Sequence, residues 1–266
     1  MDRARPSREP AVNKGPTTRR RVGEVSLERA LSKLGIVSRS QARALVLAGR
    51  VEIAGQRVLD PGQPVVPEGL AIAIDGHAVG EQTRRTLLFY KPRGVVTTRA
   101  DEQGRRTVYD CIGAEAVGLG PVGRLDIAST GLLLLTNDTR LADWLTNPDH
   151  AIERVYLVTA RGAVSDETAA SFARGVLCEG ELLVAKSATV RKRSQKETHL
   201  VLTLCEGRNR EIRRLLGAAG HPVTRLKRVS YGGLELGALQ PGQWRAVSVA
   251  ELTAAFPSAP IKAAAH

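Results

Sequence analysis

Four consecutive leucines, Leu132 to Leu135, constrain the fold of this chain more than any other feature of its sequence. No polar residue alternates with them, and Gly131 and Asn137 mark the ends of the run, which is the pattern of a buried β-strand. A charged step, Arg124-Leu125-Asp126, lies shortly before this strand. This step either forms a solvated turn or holds a carboxylate near a cleft. The strand alone leaves both interpretations open.

The charge balance of the chain indicates a polyanionic partner. The 266 residues carry a formal net charge of +12, and the basic residues are dispersed through segments that look folded. That distribution favours nucleic acid over a membrane surface. No run reaches the roughly 18 apolar residues of a membrane span, and the N-terminus lacks an apolar signal region. The length allows one large domain or two ordinary ones.

The residue types that bind metals are scattered along the chain. Cys111, Cys178 and Cys205 lie far apart, without disulfide or metal spacing, and the five histidines form no cluster. This pattern predicts a reducing interior, a cytoplasmic location and no metal site.

Both ends of the chain have the composition of tails. Residues 1–22 are rich in proline and arginine and poor in apolar residues, which predicts a disordered basic tail. Such a tail adds weak, salt-sensitive phosphate contacts or has no role at all. An alanine-rich tail is predicted over 256–266.

Residues 24–80 are predicted to form a small separate unit. Leu27, Ala30, Leu31 and Leu34 repeat at helical spacing up to Gly35, and Ser38 with Gln41 fits a capping box that opens a second helix. Two short strands around Ala54-Gly55 predict a hairpin. Basic residues lie on the two helices and at the end of the second: Arg29, Lys33, Arg39, Arg43 and Arg50.

The stretch LERALSKLGIVSRSQARALVLAGRVEIAGQRV resembles the S4 RNA-binding domain, a helix-turn-helix-strand module. Paired helices with a charged face are more often only a solvated surface, but here helix lengths, glycines and hairpin agree together. The resemblance implies that these five basic residues contact RNA.

Residues 85–255 are predicted to form a larger unit in which strands outnumber helices. Strands are predicted at Thr86–Tyr90, Leu132–Thr136 and Val155–Thr159 and around Leu200–Leu204, and helices from Asp138 to Trp144 and from Ser165 to Gly175. Because helices do not follow every strand, we expect the α+β class, with a mixed and mainly antiparallel sheet.

The stretch GRNREIRRLLGAAG, residues 207–220, predicts a basic amphipathic helix that begins with Asn209 as its cap. Arg210 and Arg214 are expected to point to solvent. Arg213 lies on the flank of the apolar stripe, where its guanidinium can face a cleft and needs a carboxylate or a phosphate as acceptor. Spacing alone leaves a fully solvated basic helix as an equal alternative.

Two further features have competing interpretations. Tyr156 lies in a predicted strand, where a tyrosine usually packs in the core, although in a basic protein it also offers a stacking face for an extruded base. The segment Gly118 to Gly123 matches GxGxxG. Pro121 interrupts it and a strand follows, so a dinucleotide or S-adenosylmethionine site is not expected.

The stretch GRLDIASTGLLLLTND resembles the catalytic signature of the RsuA/RluB-type ribosomal pseudouridine synthases, which carry an N-terminal S4 domain. The resemblance extends through FYKPRGVVTTRADEQGRRTVYD, VYLV and EGRNREIRRLLGAAGHPVTRLKRVSYGGLEL. It implies Asp126 as the catalytic aspartate, Tyr156 as the base-stacking tyrosine and Arg213 as the aspartate's basic partner. Arg124 is implied in RNA binding or base extrusion, and we expect Arg208 and Arg210 to contact RNA as well.

The chain departs from the family pattern at three positions without losing a catalytic group. Arg154 stands where many members have lysine, Thr139 replaces a common glycine, and Glu211 replaces a frequent glutamine.

The resemblance implies a cofactor-free isomerase that converts a uridine of ribosomal RNA, 23S rather than 16S, to pseudouridine. The sequence does not indicate an oligomeric state, and a monomer is the default expectation. Two alternatives are a binding protein without activity and an S4-linked rRNA methyltransferase.

Overall fold

The computed structural model describes residues 23–67, 69–80 and 83–261, so the predicted basic tail over 1–22 lies outside the described residues. The N-terminal unit consists of β1 (Val25–Ser26), α1 (Leu27–Lys33), α2 (Arg39–Leu47), β2 (Val51–Ile53), β3 (Gln56–Val58), β4 (Pro64–Val65), β5 (Ile72–Ile74) and β6 (His77–Val79). Strands β3, β2, β5 and β6 form an antiparallel sheet in that order, and β1 pairs with β4.

The predicted local signals of this unit are confirmed. The Ser38 hydroxyl accepts the Gln41 backbone N–H at 3.3 Å, and the Gln41 side chain accepts the Ser38 backbone N–H at 3.0 Å, which completes the capping box. Ala54 and Gly55 both have positive φ, as a two-residue hairpin turn requires. The two helices pack on the sheet through a separate apolar cluster that includes Leu27, Leu31 and Val46.

The second unit begins with strand β7 (Thr86–Lys91) and continues through α3 (Val108–Ile112), β8 (Gly120–Pro121), β9 (Thr130–Thr136), α4 (Thr139–Thr146), β10 (Arg154–Arg161), α5 (Asp166–Arg174), β11 (Val176–Cys178), β12 (Glu181–Leu183), β13 (Ser187–Arg193), β14 (Glu197–Leu204), α6 (Glu211–Ala218), β15 (Val223–Tyr231), β16 (Leu234–Glu235), β17 (Trp244–Ala246) and α7 (Val249–Ala255). Short 3₁₀ turns cover Gly113–Ala116 and Pro148–His150. Asp138 caps α4 as predicted, because its carboxylate accepts the backbone N–H groups of Arg140 and Leu141.

The main sheet has the order β13-β14-β10-β15-β9-β7-β17, with β16 beside β15 and β8 beside β9. Its named strand pairs are antiparallel except β15 and β9, which run parallel. The mixed, mainly antiparallel α+β architecture is therefore confirmed. Within the described ranges, none of the helices has the length and apolar character to cross a bilayer.

The four leucines of β9 lie at the centre of this sheet and serve two cores. Leu133 and Leu135 pack in one cluster with α3, α5 and α6, whereas Leu132 and Leu134 pack in another with α4 and α7. Because helices cover both faces, no position of the strand faces water, which explains why the run does not alternate.

Gly131 is where β9 and β15 meet most closely. A Cβ atom at this position would lie 2.1 Å from the Arg228 carbonyl oxygen, and Gly131 has a φ of +105°. Only glycine permits this approach and this conformation, so the parallel pairing of β9 and β15 requires a glycine at position 131.

The chain remains packed beyond the point where the sequence predicts a C-terminal tail. Phe256 is 2 % exposed, and Ala259 and Ile261 pack against the same cluster as α7. A tail that begins at 256 is therefore wrong for residues 256–261, because apolar side chains between alanines and prolines attach this segment to the core. Residues 262–266 lie outside the described residues.

We predict that Gly131→Ala destabilises the protein by at least about 3 kcal/mol, because the clash with the Arg228 backbone adds to the strain of a positive φ. Urea unfolding followed by circular dichroism measures the change. Gly242→Ala is the matched control, since Gly242 has a φ of +90° but nothing within 4 Å of its Cβ position. Equal stability of the two variants would contradict the prediction.

Candidate active site

Asp126 lies in the turn between β8 and β9, and backbone contacts fix this turn from several sides. The Thr97 hydroxyl donates to the Leu125 carbonyl at 2.9 Å, and the Gly94 N–H donates to the Ile127 carbonyl at 2.8 Å. Within the turn, the Ser129 N–H donates to the Asp126 carbonyl at 2.9 Å. The charged step is therefore not a loosely solvated turn but a rigid support for a carboxylate that is 35 % exposed.

Lys91, at the end of β7, anchors the same turn from inside the protein. Its ammonium is fully buried and donates to the carbonyl oxygens of Pro92, Asp126 and Ser129 at 3.1, 3.1 and 2.9 Å. Burial lowers the pKa of Lys91 to about 8, and the charge of Asp126 acts in the opposite direction. The ammonium thus links the turn at Pro92 to the turn that carries Asp126.

Two guanidinium groups approach the Asp126 carboxylate from α6. Arg210 Nη1 lies 3.6 Å and Arg213 Nε 3.7 Å from Asp126 Oδ2. Arg213 is held by the Val223 carbonyl, which accepts from Nη1 at 3.1 Å, and its side chain is only 13 % exposed. Burial and the adjacent Arg210 lower the pKa of Arg213, and Asp126 opposes them. The predicted partner of the aspartate is thus beside it, together with a second arginine.

The start of α6 differs from the sequence prediction. Arg210, not Asn209, is the residue before the helix, and it has a left-handed backbone with φ +49° and no side-chain cap. Instead, the Glu211 carboxylate accepts the Arg208 backbone N–H at 3.1 Å. The cap at Asn209 is therefore wrong, and the left-handed residue turns the Arg210 side chain toward Asp126.

Arg214 also differs from its predicted solvent-facing position. Its guanidinium donates to Glu181 at 2.7 Å and to the Cys178 carbonyl at 3.2 Å, which ties α6 to the β11–β12 hairpin. Arg213 and Arg214 thus have different partners on the same helix.

A cavity of about 480 Å³ opens above Asp126. Its wall includes Tyr156 of β10, which is 7 % exposed, and Arg124, which is exposed at the rim. A second cavity also has Arg124 and Asp126 in its lining. The structure therefore brings Asp126, Tyr156, Arg210 and Arg124 to one cavity, and Arg213 lies 3.7 Å from the carboxylate outside the cavity's lining.

Two buried arginines form part of the cavity lining. Arg154 donates to the carbonyl oxygens of Leu145, Ile152 and Cys205 and to the Tyr231 hydroxyl, at 3.0 to 3.1 Å. Arg228 donates to the Leu132 carbonyl at 2.7 Å, and both guanidiniums lie within about 5 Å of the Tyr231 ring centre. These arginines join α4, β9, β10 and β15 beneath the cavity.

Glu211 is a buried carboxyl group in the same lining and is 3 % exposed. Burial raises its pKa to about 7, the Arg208 backbone N–H acts in the opposite direction, and the nearby Glu206 raises the pKa further. A protonated Glu211 resembles the neutral glutamine that is frequent at this position of the family.

The predicted RNA-contacting residues outside this centre lie on two surfaces. Arg29, Arg39 and Arg43 are exposed on the N-terminal helices, and Lys33 is half-buried. Arg43 lies 3.5 Å from the Glu28 carboxylate, and two other predicted contacts also have carboxylate partners. Arg50 forms a two-bond pair with Asp75, and Arg208 is paired with Glu206 and Glu181. In the described part of the chain, no group of three or more acidic, histidine or cysteine side chains is arranged to hold a metal ion.

Comparisons with known proteins agree with this arrangement. The sequence profile of the RNA pseudouridylate synthase family matches residues 85–218, and that of the S4 domain matches residues 26–69. The chain is 35 % identical over 240 residues to an uncharacterised RNA pseudouridine synthase of Aquifex aeolicus, covering 90 % of this chain and 96 % of that protein. This chain belongs to the RNA pseudouridine synthase family.

Two named relatives and one solved structure define the branch of the family. The ribosomal large subunit pseudouridine synthases B of Bacillus subtilis and Escherichia coli O157:H7 are 35 % and 37 % identical. The matches cover 85 % of this chain in both cases, and 93 % and 80 % of those proteins. A crystal structure of a pseudouridylate synthase superimposes with a TM-score of 0.60 at 28 % identity, covering 86 % of this chain and 98 % of that one. This pseudouridine synthase is therefore of the RluB/RsuA type and acts on RNA.

Several residues of the synthase site were not identified from the sequence. Sequence patterns single out neither Lys91 nor Arg228 as site residues, and Arg154 stands out only as a departure from the family pattern. A charged residue at the end of an apolar strand, as in Thr86–Lys91, is the signal that points to a buried cation. The Gly118–Gly123 segment runs through β8 into a turn, without the helix that a cofactor loop requires.

We predict that Glu211→Gln increases stability at neutral pH. The folded state of the wild type binds the Glu211 proton more tightly than the unfolded state. The contribution of this protonated group to the free energy of unfolding is therefore complete below about pH 4.5 and is lost as the pH rises through about 7. Glutamine does not titrate, so the variant should gain on the order of 2 kcal/mol relative to the wild type between these limits.

Thermal unfolding at several pH values measures this difference. Glu235→Gln is the control, because Glu235 is exposed on the short strand β16. A wild-type pH dependence in the Glu211→Gln variant would refute the assignment of a buried, protonated carboxyl group.

Proposed function

We propose that this enzyme converts a uridine of 23S ribosomal RNA to pseudouridine, with Asp126 as the nucleophile or base and without a cofactor. The names of the Bacillus subtilis and Escherichia coli O157:H7 relatives, which refer to the large ribosomal subunit, support this RNA target. One observation carries the chemical assignment. Asp126 is the carboxylate in the cavity that lies within 3.7 Å of both Arg210 and Arg213.

The reaction is an isomerisation in which no atoms are exchanged with a second reagent. The bond between N1 of uracil and C1′ of the ribose breaks, the base turns, and C5 forms a new bond to C1′. C5 then loses its proton and N1 carries one in the product. A carboxylate serves this sequence either by bonding to the substrate or by accepting the C5 proton.

Arg210 and Arg213 would compensate the negative charge of Asp126 in the free enzyme and of the reacting base during the reaction. The turn around Asp126 is held by Lys91, Thr97 and Gly94, so the carboxylate needs little rearrangement to react.

The substrate uridine of a structured RNA must leave the base stack, at a cost of roughly a few kcal/mol. Stacking on Tyr156 would return about 1 to 3 kcal/mol. The exposed Arg124 at the rim would contact the adjacent phosphates or the vacated position. Arg210 would add charge at the same rim, and Arg208 is proposed as an RNA contact although it is paired with Glu206 and Glu181.

The S4 unit would provide affinity at a distance from the chemistry. Its exposed arginines, Arg29, Arg39 and Arg43, with Lys33 and Arg50, are proposed as phosphate contacts. We propose that the enzyme acts as a cytoplasmic monomer on this ribosomal RNA or its assembly intermediates.

We predict that Asp126→Asn lowers pseudouridine formation at least about 10³-fold, because the amide neither attacks nor accepts a proton. Affinity for rRNA should change little, since one carboxylate among many cations is removed. Tritium release from rRNA labelled at C5 of uridine measures turnover, and filter binding measures affinity.

The control for this variant is Asp143→Asn, which makes the same change at an exposed position of α4 outside the cavity lining. Turnover of Asp126→Asn at the rate of Asp143→Asn would defeat the catalytic assignment.

We predict that a strain lacking this enzyme loses one pseudouridine or a few adjacent ones from 23S rRNA, and none from 16S rRNA. Chemical mapping of pseudouridines in both RNAs measures the loss. The wild-type gene should restore the missing positions, and the Asp126→Asn variant should not. Loss confined to 16S rRNA would overturn the large-subunit target while leaving the chemistry intact.

A further inference from the structure

A third cavity, of about 620 Å³, has Arg213 in its lining and is strongly basic. Here this lining is called the basic cavity, and its charged members are Arg93, Arg161, Lys196, Glu197, Arg213 and Arg225. Except for Arg213, its basic residues have no part in the function proposed above.

The main sheet builds this cavity at one common end of three adjacent strands. Arg161 is the last residue of β10 and is paired with Glu197 of β14, while Arg225 of β15 is paired with Thr159 of β10. The Arg161 N–H donates to the Pro222 carbonyl at 3.0 Å, and the Gly162 N–H donates to the Lys196 carbonyl at 2.9 Å. The backbone that carries these cations is therefore fixed by the sheet.

Apart from Arg213, which lies 3.7 Å from Asp126, the described cations of the cavity have no carboxylate that neutralises them. In the part of the chain that the structure describes, the side chains of Arg93, Arg161, Lys196 and Arg225 form no hydrogen bond or ion pair. The only acidic side chain of the lining, Glu197, lies 3.2 Å from His199 Nε2. Arg193, Arg208 and Arg214 have acidic partners, whereas these four cations line one cavity without such partners.

The position of the cavity connects it to the reaction. Ala128, in the turn that carries Asp126, belongs to its lining, and Arg93 lies in the turn whose Gly94 donates to Ile127. Arg93 is close enough to Arg213 to contribute to the lowering of its pKa. The accumulation of like charges beside a buried guanidinium is unfavourable unless an anion occupies the space between them.

We propose that the basic cavity binds phosphodiester groups of the RNA strand that flanks the target uridine. Guanidinium groups are suited to this ligand, because they bind phosphate oxygens with paired hydrogen bonds and keep their charge at every relevant pH. The strand then runs from the catalytic cavity past Arg93 and Arg213 to Arg161 and Arg225. Phosphates bound there hold the displaced backbone while the uridine is in the catalytic cavity.

The test compares Arg161→Ala/Arg225→Ala with Arg174→Ala/Arg191→Ala in the full-length enzyme. Both double variants remove two exposed positive charges, but Arg174 and Arg191 line neither cavity. With deproteinised rRNA at about 0.1 M salt, the cavity variant should bind roughly tenfold more weakly, and its log–log salt slope should fall by about 1.4. Its KM should rise in parallel while kcat at saturating RNA stays unchanged. The control should behave as the wild type.

A second variant separates charge from structure. Arg161→Lys/Arg225→Lys keeps both positive charges, so it should recover most of the affinity. Thermal unfolding identifies any variant that fails to fold. Because affinity is measured for 23S and 16S rRNA separately, a wrong 23S assignment changes which RNA is modified but not the difference between the variants.

Three results would overturn the proposal. The first is equal affinity and salt slope in the cavity variant and its control. The second is normal binding to naked RNA with weakened binding only to ribosomal assembly intermediates, which would indicate a protein ligand. The third is stabilisation of the wild type, but not of the cavity variant, by inorganic phosphate while RNA affinity is unchanged, which would indicate a free anion.

Discussion

The buried ammonium of Lys91 is the interaction on which the geometry of the active site depends. A charge without water requires compensation, and three backbone carbonyls provide it here together with the nearby Asp126 charge. Two of those carbonyls belong to Asp126 and Ser129, so the contacts that satisfy the lysine also fix the turn that carries Asp126. Hence the stability of the interior and the orientation of the carboxylate depend on one another. A change at Lys91 or in the Asp126 turn would therefore disturb both.

The sheet extends this coupling across the domain. Strand β7 supplies Lys91, and β9 begins directly after the Asp126 turn. Strand β10 carries Tyr156, and the neighbouring β15 carries Arg228, which is paired with it. Helix α6 then closes the site from the side, with successive arginines directed to different partners: Arg213 toward Asp126 and Arg214 toward Glu181. A basic amphipathic helix thus directs one arginine to Asp126 and the next to the β11–β12 hairpin.

The features that could be predicted from the sequence are those whose determinants lie within a few residues of one another. The leucine strand, the Ser38 capping box and the Asp138 cap depend on such local patterns, and the family motifs supplied Asp126 in addition. Arg154 could not be placed in this way, because its burial depends on carbonyls contributed by distant residues such as Leu145 and Cys205. The cap at Asn209 failed for a related reason. The next residue, Arg210, has a left-handed backbone and takes the position before the helix, which local helix propensity does not indicate.

The parallel pairing of β9 and β15 has a consequence for the synthesis of the protein. The Arg228 side chain bonds the Leu132 carbonyl across a separation of 96 residues, so this joint closes only after most of the domain has been translated. Contacts between such distant segments form late, since the entropy of a long intervening loop opposes them. A nascent chain can therefore fold its N-terminal RNA-binding unit while the catalytic centre is still incomplete. An enzyme that acts on ribosomal RNA would in this way remain inactive during its own emergence from the ribosome.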